Sequence, residues 1–196
     1  MLWIQRDVYK TLRTVSAVTL AALMMAVAGC HPHDVAVGDT HSNQSSVASS
    51  GVQRADVMVG VVGLADATTD KLLLDAYAGQ GLKASYVSTR DTDDPNQTAQ
   101  QGVKDLVDRV VSAIVIVGLD ATVDEQGWNE ALQKARDGGI PVILVEPLHA
   151  PSDERLYAAT FTIRDGSINA AALDKGTMSV INDASHSRQI TISASS

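Results

Sequence analysis

The sequence predicts an α/β fold, a three-layer, doubly wound parallel sheet with helices on both faces. Short β-branched apolar runs alternate with helix-forming segments from residue 55 onward, and this alternation implies right-handed crossovers between parallel strands. The run SAIVIVG is apolar throughout, as strands covered on both faces are. Aromatic residues make up only 4% of the chain, so we expect an aliphatic core.

Six strands and four helices follow one another in this interpretation. The strands are predicted at ADVMVGVVG, KASYVST, SAIVIVG, IPVILVE, ERLYAATF and RQITIS. The helices between them are DATTDKLLLDAYAGQGL, DDPNQTAQQGVKDLVDRV, EQGWNEALQKARDGG and GSINAAALDKGTMSVIND. Asp94 is a candidate N-cap and Pro95 suits the first helical position.

The N-terminus is predicted to be a signal peptide over residues 1–29. Its apolar run, TVSAVTLAALMMAVA, holds no charged residue and is shorter than the ~20 apolar residues of a membrane span. The run ends in VAGC, which resembles a bacterial lipobox and implies lipid attachment, palmitate included, at Cys30 after cleavage. The alternative is an uncleaved anchor with an incidental cysteine.

Residues 30–54 are rich in Ser, Gly and His and are predicted to be a flexible tether. Three histidines lie there and are interpreted as solvated residues rather than metal ligands: His31, His33 and His41. The globular part is predicted over 55–185, and 186–196 is predicted to start a crossover to a second lobe.

Charge and motif content exclude several classes of function. The formal net charge is −8, which disfavours nucleic-acid binding. No Ser-His-Asp order stands out, and the two glycines of GVVGLAD are wrongly spaced for a phosphate loop. His149 and His186 lack neighbours with metal-ligand spacing. We therefore expect no enzyme activity, no metal and no cofactor.

Carboxylates recur where the predicted strands end, which is where open parallel sheets bind ligands. Carboxylates accept hydrogen bonds from sugar hydroxyls. The candidate ligand-binding residues are Asp66, Asp91, Asp120, Glu146 and Asp165. The alternative for the aspartates is that they are helix caps and loop residues.

Taken together, DPNQTAQ, VVSAIVIV, WNEALQKARDGGIPVILV and SDERLYAATF resemble the type I sugar-binding lipoproteins and periplasmic proteins of bacterial ABC transporters. The galactofuranose, fructose and ribose binders are the most similar subgroup, and the resemblance covers about residues 55–182. It implies the first of two similar lobes, a small sugar as ligand and a permease as partner.

The sequence departs from that family at the implied site. The resemblance implies an Asp-Arg pair after the fourth strand, where this chain has Glu146-Pro147. It also implies aromatic residues after the first strand, where GLADATTD has none. Trp128, Tyr157 and Phe161 are interpreted as core residues.

Two functions follow from the sequence. The first is a lipid-anchored solute-binding protein for sugars, on the extracytoplasmic face of the cell membrane. The second is a truncated lobe that no longer carries solute and acts as a protein-interaction module, paired with another copy or with a polypeptide that supplies a second lobe.

Overall fold

One six-stranded parallel sheet forms the centre of the computed structural model, which describes residues 34–40, 51–64, 67–164 and 166–193. The strand order is β2-β1-β3-β4-β5-β6. The strands are β1 Met58–Gly63, β2 Lys83–Ser88, β3 Ala113–Val117, β4 Val142–Val145, β5 Ala159–Thr162 and β6 Gln189–Thr191. The helices are α1 Ala67–Gly79, α2 Pro95–Asp108, α3 Glu125–Asp137 and α4 Ala170–Ile181. The predicted fold class is confirmed.

Two apolar cores cover the two faces of the sheet. In one core, α2 and α3 pack against the sheet, with Trp128 fully buried. In the other, Leu73 and Tyr77 of α1 and Leu173 of α4 pack against strand residues that include Phe161. The core positions predicted for Trp128, Tyr157 and Phe161 are confirmed, since they are 0%, 7% and 0% exposed.

Local sequence explains where the elements begin. Asp94 caps α2 by accepting a hydrogen bond from the Gln97 backbone N–H at 3.0 Å, as predicted. The fifth strand starts later than predicted, because Glu154–Leu156 form a 3-10 turn that Asp153 caps through the Arg155 N–H. The Asp153 side chain thereby satisfies a backbone donor of the turn, and such local hydrogen bonds compete with strand pairing.

The last crossover has the opposite hand from the others. The steps from β1 to β2 and from β3 to β4 run in opposite directions, and their helices α1 and α3 lie on opposite faces. Those two crossovers therefore share one hand. The step from β5 to β6 runs in the same direction as β3 to β4, but α4 lies on the face of α1. Since nearly all such crossovers are right-handed, the β5–α4–β6 connection is left-handed, and the expectation of uniform right-handed crossovers is wrong there.

Residues 34–40, here called the N-terminal segment, lie against the globular part of the chain. The Arg188 guanidinium binds the Asp39 carboxylate. The backbone N–H of His186 donates to the Thr40 carbonyl at 3.0 Å. The Gly38 carbonyl lies 2.6 Å from His186 Nε2. This segment falls inside the range that the sequence predicts as a tether, and its partners His186 and Arg188 lie about 150 residues away in sequence.

Candidate functional site

The carboxyl-terminal ends of the strands form the edge at which the sequence predicts a ligand site. The direction of strand order reverses at β1. Strand β2 lies on one side of β1, and β3 lies on its other side. A reversal of this kind opens a crevice between the loops that follow the two strands. Here, Leu64 directly after β1 donates its N–H to the Val117 carbonyl at 3.2 Å.

Asp120, after β3, is held by its own loop. Its Oδ1 accepts hydrogen bonds from the Thr122 hydroxyl at 2.5 Å and the Thr122 N–H at 3.0 Å, and lies 3.1 Å from His149 Nδ1. The hydrogen bond from the Thr122 hydroxyl is the main reason that the pKa of Asp120 lies below its ordinary value, although partial desolvation opposes it. Asp120 and His149 also form an isolated parallel β-bridge. The pair therefore ties the β3 loop to the β4 loop.

Glu146, after β4, uses its carboxylate to join two strands. One carboxylate oxygen accepts the Ile163 backbone N–H, just past β5. The Glu146 N–H donates to the Phe161 carbonyl at 3.0 Å. With φ at +46°, Glu146 turns the chain in the left-handed region, where non-glycine residues are uncommon. A carboxylate with this role has less capacity to bind a sugar hydroxyl.

Asp91, after β2, is exposed, and no side-chain hydrogen bond or ion pair engages its carboxylate within the described ranges. It lies beside Arg90, whose side chain is also exposed. Asp66 and Asp165 lie outside the residues that the structure describes, as do Cys30 and the three tether histidines. The roles predicted for these residues stay predictions.

The three described carboxylates lie at the ends of three different strands. In the order β2-β1-β3-β4, the ends that carry Asp91 and Glu146 are three strand positions apart, about 14 Å at ~4.8 Å per strand. Asp120 lies between them, already bonded to Thr122 and His149.

The structure shows a polar cavity that the sequence did not reveal. It lies at the ends of β1 and β2, has a volume of about 210 Å³, and includes Asp70, Tyr86, Ser88, Arg90 and Asp91 in its lining. The signal available in the sequence was Tyr86, an aromatic residue near the end of a strand. Its partner Asp70 lies in α1, and only the fold brings the two together.

Two exposed apolar side chains flank the same edge. Val123, after β3, is 62% exposed, and Leu148, after β4, is 69% exposed. Among the described residues, no group of three or more His, Cys, Asp or Glu side chains has an arrangement suited to a metal ion. The helices in that part of the chain include none with the length and hydropathy needed to cross a bilayer.

Comparison with known proteins adds one curated relative. The chain is 26% identical over 134 residues to the fructose import binding protein FruE of Bifidobacterium longum (strain NCC 2705), a match that takes in 68% of this chain. The match spans only 37% of that relative's length. No protein-family model matches the chain. The relative is of the class that the sequence resembles, a sugar import binding protein.

Solved structures of sugar-binding proteins superimpose on part of this chain. A galactofuranose binding protein superimposes with a TM-score of 0.45 and 22% identity, over 55% of this chain and 36% of that one. The periplasmic component of the arabinose ABC transporter from Shewanella sp. ANA-3 gives 0.44 and 16%, over 69% and 54%.

Proposed function

We propose that this chain is an extracytoplasmic, lipid-anchored solute-binding protein that binds a small sugar for an ABC transporter. The similarity over 134 residues to a fructose import binding protein carries the proposal. The parallel sheet, with a strand-order reversal at its carboxyl-terminal edge, supports it, because open α/β sheets bind ligands there. The chain acts as a binding protein and not as an enzyme, with a permease as partner.

The proposal includes the domain boundaries predicted from the sequence. Residues 1–29 are a signal peptide, Cys30 carries the lipid, 55–185 form the binding lobe and 186–196 lead toward a second lobe. For the anchor, Cys30→Ser is expected to move the protein from the membrane fraction to the soluble fraction and to leave the precursor uncleaved. If the variant and the parent were divided equally between the membrane and soluble fractions, the result would contradict the lipid anchor.

Isothermal titration of the full chain in detergent tests the ligand class. Fructose, ribose, galactose and arabinose are added at millimolar concentration, and a saturable heat with at least one of them is expected. A buffer containing the same detergent without protein gives the control heat. A folded, monodisperse sample that binds none of the four sugars would contradict sugar binding by this chain.

A second candidate function is a protein-interaction module, and the exposure of Val123 and Leu148 favours it. Both side chains lie on loops at one edge of the sheet, and apolar groups at such an edge are suited to a protein partner. The double variant Val123→Asp, Leu148→Asp is expected to abolish self-association in light scattering. A parent chain that stays monomeric at all concentrations would count against pairing with another copy.

A further inference from the structure

The cavity at the ends of β1 and β2 has a construction suited to a small polyhydroxylated ligand. Its walls come from both strand ends, from the first turn of α1 and from the loop after β2. The volume of about 210 Å³ is below the ~300–1,000 Å³ of pockets for drug-sized ligands. A ligand of this cavity is therefore of monosaccharide size or smaller.

Tyr86 forms a rigid aromatic wall of the cavity. Its hydroxyl donates to Asp70 Oδ2 at 2.7 Å, and Asp70 is only 5% exposed. Partial burial of the hydroxyl, together with this hydrogen bond, raises the pKa of Tyr86 above its ordinary value. The Tyr86 residue nevertheless remains 40% exposed. Tyr86 is the one aromatic residue within the described ranges that combines a fixed hydroxyl with an exposed surface.

Charged groups beside Tyr86 are free to bind a ligand. In the loop after β2, the Thr89 hydroxyl donates to the Gly63 carbonyl at 2.7 Å, and the Thr92 hydroxyl donates to the Thr89 carbonyl at 2.7 Å. These bonds hold the loop in place. The Arg90 guanidinium and the Asp91 carboxylate make no side-chain hydrogen bond to any residue that the structure describes.

We propose that this cavity is the sugar subsite of the chain, with Tyr86 as the stacking surface and Arg90 and Asp91 as hydrogen-bonding partners of the hydroxyls. The C–H face of a sugar packs on an aromatic ring, a guanidinium donates to hydroxyl oxygens, and a carboxylate accepts from hydroxyl hydrogens. The inference rests on the proposed function for its ligand class. It moves the principal contacts from the β3 and β4 ends to the β2 end.

Amide NMR of the isotope-labelled full chain, titrated with the same four sugars, tests the location. We expect shift changes for the amides of residues 86–92, with smaller changes for residues 118–122 and 146–149. The substitutions Arg90→Ala and Asp91→Asn are each expected to weaken sugar affinity by at least about tenfold, the loss expected for one hydrogen bond to a charged group.

Matched control variants separate a local effect from a general one. Arg109→Ala and Asp93→Asn change exposed residues of the same types outside the cavity, and they are expected to leave affinity unchanged.

Tyr86→Phe keeps the ring but removes the hydroxyl that bonds to Asp70. Weaker sugar binding is expected, because the ring is then no longer held in position.

The outcomes distinguish the inference from the proposed function. Shifts confined to residues 118–122 and 146–149, with affinity insensitive to Arg90→Ala, would overturn the inference and leave the proposed function standing. Sugar uptake is measured in cells that lack this protein. Shifts at residues 86–92 combined with unchanged uptake would uphold the subsite and overturn the transport function. No shift with any sugar would overturn both.

Discussion

Gly63 determines how closely α1 and β2 pack at the end of β1. A Cβ at this position would lie 2.0 Å from Asp70 Oδ2 and 2.8 Å from the Tyr86 hydroxyl oxygen. Both atoms belong to the hydrogen-bonded pair that forms the wall of the cavity. The absence of a side chain at Gly63 therefore allows the Asp70–Tyr86 pair to form.

Gly63→Ala is expected to lower the free energy of unfolding by about 1–3 kcal/mol, because the added methyl group overpacks a filled site. Urea denaturation followed by circular dichroism measures the change. The matched control is Gly79→Ala in α1, where an added Cβ meets nothing within 4 Å. The control is expected to be neutral or to stabilise by up to ~1 kcal/mol, since Ala favours the helix. Equal destabilisation by both substitutions would contradict the packing role of Gly63.

At the scale of the elements, the start of α2 is where sequence and structure agree most closely. The Asp94 cap and the following Pro95 were both predicted, and the structure places them at the N-cap and first turn. The reason is that capping depends on residues within one helical turn, so neighbours in sequence carry the information.

Asp94→Ala is expected to lower the free energy of unfolding by about 1 kcal/mol, because the Gln97 N–H loses its acceptor. Thermal and urea denaturation both measure the effect. Asp93→Ala is the control, since its neighbouring carboxylate does not cap the helix in the structure. If Asp93→Ala lowered the free energy of unfolding as much as Asp94→Ala does, the negative charge near the helix N-terminus, and not the capping hydrogen bond, would be what stabilises this helix start.

Element types followed from local patterns, whereas the site did not. The strand runs and helix patterns predicted the order of the elements along the chain, since burial on both faces makes AIVIV and VILV apolar throughout. The commitment of Glu146 to the Ile163 N–H could not be predicted, because it joins the ends of two different strands. The Asp70–Tyr86 pair was missed for the same reason.

At the scale of the whole molecule, α4 and β6 form the most distinctive unit. Their crossover is left-handed, and β6 has only three residues at the sheet edge. Charged contacts hold the unit to other parts of the chain, including Arg54 with Asp174 at 2.6 Å and Arg188 with Asp39. Because β6 is a three-residue strand with only β5 beside it in the sheet, this unit is expected to open before the central strands.

Hydrogen exchange followed by mass spectrometry of the full chain measures this opening. We expect the amides of α4 and β6 to exchange faster than those of β1, β3 and β4, since local opening costs less than global unfolding. Arg188→Ala should increase the exchange rate of β6 further, and Arg109→Ala, a change at an exposed arginine, should not. Exchange of β6 in step with β3 would contradict separate opening of the unit.

The contact between the N-terminal segment and His186 has a consequence for the order in which the protein is made. The partners Gly38 and His186 are 148 residues apart in sequence, and closing a loop of that length costs about 4 kcal/mol in chain entropy. During translation, strands β1 to β5 are all synthesised before residue 186 appears. At roughly 5–20 residues per second, Gly38, Asp39 and Thr40 therefore wait a second or more after β5 is complete for their partners His186 and Arg188. A chaperone or a protease that acts on the nascent chain meets residues 38–40 without these contacts in that interval.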